Sequence, residues 1–351
     1  MDVQTAKTAV RACYKANLPV MLSGSPGLGK SSIIYQLAGE LAEEYGEPFG
    51  CILFRTSTCD PSESADLKFV VEKDGKPVVV NAPQDWVPTK ESIKAGKFPA
   101  RGFVFIDEIL DGSLMVQSML QSLVLDRVLG SVTLADGWFP VSAANRRADN
   151  AAAGRMSTAL ARRFVHITIE SNVDITIAYA RKNNWHPLIP AWLRFRPALL
   201  NTFEQSKKNS TEYSFACEAS YESLSKLLLA NPEMSEAVKL ELMSGILGKA
   251  VASEFYAFER VYNDLPDMKV LRENPATYPI STEPSVLYAT LGALSHGITA
   301  REFDRIWPFI KRLQSEFITM FVKDAYKITD GSISKTKAWD EYVRDFNFNS
   351  F

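Results

Sequence analysis

The residues Gly24-Ser25-Pro26-Gly27-Leu28-Gly29-Lys30-Ser31-Ser32 place a lysine and two hydroxyls directly behind a glycine-rich turn. This is the Gly-x-x-x-x-Gly-Lys-Ser pattern of a phosphate-binding P-loop. Glycines let backbone N–H groups curl round a phosphate with no Cβ in the way. Lys30 puts a compact positive charge against the β- and γ-phosphates. The Ser31 hydroxyl is a hard oxygen ligand suited to Mg²⁺. Two further acids, Asp107 and Glu108, close the apolar run Gly102-Phe-Val-Phe-Ile106. With a P-loop upstream, Asp107 would orient Mg²⁺ and Glu108 would polarise the attacking water. Asn145 ends another apolar run and can hold that water or touch the γ-phosphate. Arg162 and Arg163 stand just before the last such run. They read either as a stabiliser of transferring phosphoryl charge, supplied to a neighbouring subunit, or as a solvated or ion-paired couple. The expected chemistry is hydrolysis of a nucleoside triphosphate.

These groups need a scaffold that brings strand ends together. Leu18-Pro-Val-Met-Leu22 reads as a buried strand, and Ser31-Ser-Ile-Ile-Tyr-Gln-Leu as the helix after it. Apolar runs at Cys51–Phe54, Gly102–Ile106, Phe139–Ala144 and Phe164–Ile169 alternate with helical periodicity. That alternation predicts an α/β fold, a parallel sheet sandwiched by helices. In such sheets ligands bind beyond the carboxyl ends of the strands, which puts Asp107, Glu108 and Asn145 on the P-loop side. Asp74-Gly75 between β-branched runs predicts a hairpin near 69–80, and Gly130-Ser131 a second near 127–134. From about 171 the strand signals stop. A helical domain is expected over 171–264, then a Pro-rich linker and helical end region over 265–351.

Composition narrows the classes. Lys plus Arg number 39 and Asp plus Glu 41, a net charge of −2, which does not indicate nucleic-acid coating. No apolar run approaches a membrane span, and the start of the chain lacks a signal-peptide core, so a cytoplasmic protein is expected. Cys13, Cys51, Cys59 and Cys217 are scattered, with no metal spacing, and fit buried thiols in a reducing compartment. His166 lies inside an expected strand and reads as structural.

Together these motifs resemble the AAA+ ATPases, in particular the MoxR-like branch. The matching text is the P-loop, Gly102–Glu108, Met115–Arg127, Asp136-Gly-Trp138, Ala143–Asn145 and Leu160-Ala-Arg-Arg-Phe164. The likeness is strong over about 1–170 and looser beyond. It implies a homo-oligomeric ring, usually a hexamer, with ATP and Mg²⁺ between subunits. It implies that Asn145 is sensor 1 and Arg163 the trans-acting finger, with Arg162 in reserve. The two hairpins would be insertions facing the pore or a partner. Relatives of this type work with a von Willebrand factor A (VWA) domain protein as chaperone-like remodellers. One departure stands out: where related lids carry an arginine that reaches the γ-phosphate, this chain has Ala219. The alternative within the superfamily is a motor or loader acting on nucleic acid, which would need a basic, aromatic-interleaved groove that the sequence lacks.

Overall fold

The computed structural model describes residues 1–58, 67–74, 76–82, 84–146, 149, 156–207, 213–263, 265 and 268–346. The chain forms two compact units, Met1–Ser171 and Asn172–Phe351.

The first unit runs α1 (Val3–Lys15), β1 (Val20–Gly24), α2 (Lys30–Tyr45), β2 (Phe49–Arg55), β3 (Leu67–Lys73), β4 (Lys76–Ala82), α3 (Lys90–Lys94), β5 (Arg101–Asp107), α4 (Leu114–Asp126), β6 (Val128–Leu129), β7 (Val132–Thr133), β8 (Trp138–Asn145), α5 (Thr158–Ala161) and β9 (Val165–Thr168). Five strands form one parallel sheet in the order β2-β5-β8-β1-β9. β1 lies between β8 and β9, with Gly24 level with Asn145 and Val20 level with both Val141 and Val165.

Alternation along β5 shows how the sheet is covered. Phe103 and Phe105 face a core with Ala6 and Val10 of α1 and with Ile33, Ile34 and Leu37 of α2. Val104 and Ile106 face the opposite core, with Val116, Leu120 and Leu123 of α4. Period-2 side chains buried on both faces explain the continuous apolar run that marks this strand. The fold is therefore an α/β architecture, a parallel sheet sandwiched by helices, with the P-loop after its first strand.

The floor of the sheet is set by Trp138, only 1% exposed. A Cβ at Gly50 would come within 2.4 Å of its indole, and one at Gly102 within 2.6 Å. The indole N–H donates to the Pro99 carbonyl at 3.0 Å. Glycines at these two positions make the flat seat that so large a ring requires.

β3 and β4 pair antiparallel from Leu67↔Ala82 to Lys73↔Lys76. Asp74, with φ 54°, makes the turn in the left-handed region that a two-residue hairpin demands. Its partner Gly75 lies outside the described residues. β6 and β7 form a second, two-residue-deep hairpin.

The second unit is helical: α6 (Val173–Lys182), α7 (Leu188–Phe195), α8 (Phe203–Ser206), α9 (Glu218–Ala230), α10 (Glu236–Leu247), α11 (Lys249–Asn263), α12 (Met268–Glu273), α13 (Pro284–Ser295), α14 (Ala300–Ile310), α15 (Ser315–Ile328) and α16 (Lys337–Asp345). It holds two apolar cores, one centred on Trp192, Tyr221 and Phe255, the other on Phe303, Phe309 and Phe321. The segment expected as a linker contributes to the second core through Leu271 and Tyr278. Arg312 ties it down by donating to the Tyr278 carbonyl at 2.9 Å. A buried charge cluster joins α7 to α15: Asp324, 4% exposed, accepts from both Arg181 and Arg194.

Among the described residues no helix is long and apolar enough to cross a membrane. Cys13, Cys51 and Cys217 are free thiols, and burial pushes Cys51 up to about 12; Cys59 lies outside the described residues. His166 is exposed, its Nε2 paired with the Ala161 carbonyl at 2.7 Å.

Candidate functional site

The P-loop is the connection from β1 to α2. Gly24, Gly27 and Gly29 have separate tasks there. A Cβ on Gly24 would meet Leu28 Cδ1 at 2.8 Å and the Ile169 carbonyl at 2.9 Å, so only glycine lets the strand end pack beside the chain leaving β9. Gly27 and Gly29 turn the loop in the left-handed region, φ 78° and 75°. Leu28 between them is buried and anchors the loop to the α2 side of the sheet, while Ser25 is buried and Pro26 half-buried. Ser32 continues α2.

Lys30 is curled back into this loop. Its ammonium donates to the carbonyls of Gly24 and Ser25, each at 2.9 Å, and to Asn145 Oδ1 at 2.9 Å. All three donors of the ammonium thus have an acceptor. Burial lowers the lysine to about 8, against the opposing pull of Asp107 and Asp149. A partly desolvated cation that waits on neutral acceptors is poised for a stronger, anionic one.

The acids arrive from β5. Ser31 Oγ donates to Asp107 Oδ2 at 3.2 Å, and the Glu108 backbone N–H to Asp107 Oδ1 at 3.1 Å. Burial pushes the Asp107 carboxyl above its ordinary value, with those two hydrogen bonds pulling it back. Glu108 takes the left-handed conformation, φ 54°, which re-aims its side chain as the strand ends. Two hydroxyls at the end of β2 hold it there. Thr56 Oγ1, on a residue 2% exposed, donates to the Glu108 carbonyl, and Ser57 Oγ donates to Glu108 Oε2. Nothing in the sequence singles out Thr56 and Ser57, because hydroxyls at a strand end have no diagnostic spacing.

Mg²⁺ takes one or two protein oxygens, with waters and substrate phosphates completing its shell. Ser31 Oγ and the Asp107 carboxylate are adjacent hard oxygens of that kind, so the donor set fits the ion.

The structure thus brings Lys30, Ser31, Asp107, Glu108 and Asn145 to one rim of the sheet, around the P-loop. It does not bring Arg162 or Arg163 there. Arg162 caps α5 and Arg163 follows it, just before β9. Val165 is level with Val20 at the start of β1, so the pair sits at the amino rim. Both are exposed, and among the described residues neither side chain has an ion-pair partner. Ala219 lies exposed in the first turn of α9, in the other unit. A cleft of about 870 Å³ between Arg194 and Lys327 is built from the second unit alone.

No family model matches the sequence, and no curated protein matches it. Solved structures resemble the chain at a distance. RuvB of Thermotoga maritima, in a mutant form, is 14% identical over 97% of this chain and 86% of its own, with a TM-score of 0.32. NtrX of Brucella abortus in complex with ADP is 13% identical over 98% of this chain and 68% of its own, at 0.39. The same protein in complex with ATP is 11% identical over the same shares, at 0.38. At these scores the likenesses add no weight to the geometry of the site.

Proposed function

We propose that the chain is an ATP-hydrolysing AAA+ protein of MoxR type that works as a ring and remodels a protein partner, one that carries a VWA domain. The observation that carries the ATPase reading is the meeting of Lys30, Asp107, Glu108 and Asn145 around one P-loop. In this reading the loop amides and Lys30 bind the triphosphate, and Asn145 steers Lys30. Glu108 accepts a proton from the attacking water once its carboxylate leaves Ser57. Ser31 and Asp107 would hold Mg²⁺, which when bound supplies charge neutralisation at the phosphates.

The ring reading is supported by the two rims. Arg163 precedes Val165, which is level with Val20, whereas the P-loop begins four residues further along β1. Four residues of strand span about 13 Å before any side chain is added, and the arginine points from the opposite end. Arg163, with Arg162 in reserve, therefore serves a neighbour's ATP. Exposed Leu18 and Val165 beside it, 50% and 37% accessible, supply apolar surface for that neighbour. The remodelling reading is supported by the β3–β4 hairpin, whose cross-strand pair Val70 and Val79 is 72% and 61% exposed.

The test is turnover of ATP by the purified chain and by Glu108→Gln. The variant should bind ATP like wild type and lose roughly 10²–10⁴ in rate, the range for a positioned general base. Survival of turnover to within about threefold removes Glu108 from that role. Mixing Arg163→Ala with Lys30→Ala subunits should restore activity that neither has alone, since an intact lysine can then face an intact arginine.

A further inference from the structure

Arg146, the residue after Asn145, reaches the same loop from within the same subunit. Its Nη2 donates to Ser25 Oγ, and its Nε and Nη2 grip Asp149, at 2.7 Å and 3.3 Å. Ser25 is also held by Lys30, through its carbonyl at 2.9 Å. Two cations from different elements thus converge on one residue at the head of the loop. Both are positively charged and both hold the same residue. Juxtaposed cations at the mouth of a phosphate loop are relieved by an anion placed between them.

The Asp149 side chain is fully enclosed, with 0% of it accessible, while that of Arg146 is 36% accessible. The carboxylate therefore neutralises the guanidinium from its enclosed side. The loop amides cradle the α- and β-phosphates. The chain of phosphates then continues toward the tips of β5 and β8, where Glu108, Asn145 and Arg146 stand. A guanidinium offers five donors in a plane, suited to two oxygens of one phosphate.

We propose that Arg146 binds the terminal phosphate of the nucleoside triphosphate in cis, exchanging part of its hold on Asp149 and Ser25 for phosphate oxygens, and so lets the subunit tell a triphosphate from a diphosphate. This rests on the nucleotide reading of the site above. Asp149 is the internal competitor: it keeps Arg146 in place without nucleotide and weakens its grip on the incoming phosphate.

Binding of ATP and of ADP, each with Mg²⁺, is measured by calorimetry in a Glu108→Gln background so that no turnover intervenes. Arg146→Ala should weaken ATP by roughly tenfold or more, as expected for a charge-assisted hydrogen bond, and ADP by less than about threefold. Asp149→Asn should tighten ATP and leave ADP unchanged. Arg146→Lys keeps the charge without the fork and should recover only part of the ATP affinity. Equal losses for ATP and ADP in Arg146→Ala, or no loss for either, overturn the proposal while the nucleotide reading stands. Should Arg146→Ala fail to fold by circular dichroism, Asp149→Asn decides: ATP affinity that falls or stays level overturns it. If the parent protein binds neither nucleotide, the nucleotide reading falls first and takes the proposal with it.

Discussion

On the proposed function, Lys30 makes nucleotide binding a proton-linked reaction. Its ammonium is buried among neutral acceptors and is lowered to about 8 in the free protein. Phosphate oxygens would favour the charged form and return it to at least its ordinary value near 10.5. The bound state therefore carries the proton through a pH range in which the free state has lost it, and affinity must fall as pH rises through about 8. At pH 7 about nine-tenths of free protein has the ammonium, and at pH 9.5 about three per cent. Apparent affinity scales with that competent fraction, so ATP binding should weaken about thirtyfold across the interval. A fluorescent ATP analogue titrated at constant ionic strength reads this directly. Lys30→Arg supplies a control, because a guanidinium does not titrate in this range, and whatever affinity it retains should stay level. A flat profile for the wild-type protein, with an unchanged far-UV circular dichroism spectrum, would refute the placement of Lys30 against the phosphates.

Three other outcomes are expected. Ser57→Ala frees the Glu108 carboxylate and should raise basal turnover by up to about tenfold, with ATP affinity unchanged; an unaltered rate shows that the hydroxyl does not restrain the glutamate. Shortening the β3–β4 hairpin at its Asp74 end should leave basal turnover nearly unchanged and melting within roughly two degrees, while work on a partner is lost. Asp324→Asn leaves Arg181 and Arg194 without their shared buried acid and should destabilise the helical unit by about 3–5 kcal/mol, read from urea unfolding.

Much of this was legible in the sequence because it is local. Buried parallel strands write themselves as unbroken apolar runs, and β1, β5 and β8 fall where those runs are. The P-loop and the acids after β5 carry fixed spacings, so Lys30, Ser31, Asp107 and Glu108 could be named outright. Asp-Gly announced the hairpin because the turn needs positive φ, as Asp74 shows. What escaped was non-local. The hold of Ser57 on Glu108 joins residues 51 positions apart, and that of Arg146 on Ser25 joins residues 121 apart. Neither leaves a periodicity. The Pro-rich stretch around Pro275 signals turns correctly, but prolines say nothing about burial, and Leu271 and Tyr278 are core residues. The short helices α3 and α5 escaped for a different reason: at five and four residues they complete scarcely more than one turn, too little for a helical period to register.

The parallel sheet also gives the subunit a direction. Its P-loop stands at the carboxyl rim and Arg162 and Arg163 at the amino rim. On the proposed arrangement one subunit's arginine rim meets the next one's phosphate rim, a heterologous contact that a twofold axis cannot satisfy. An open stack of n subunits then has n − 1 complete sites, because one end offers a phosphate site with no arginine to finish it and the other an arginine with nothing to serve. Closing the stack creates the missing site without any new chemistry. A subunit lacking only Arg163 would still accept its neighbour's arginine, so each one inserted silences a single site, on a fixed side of itself.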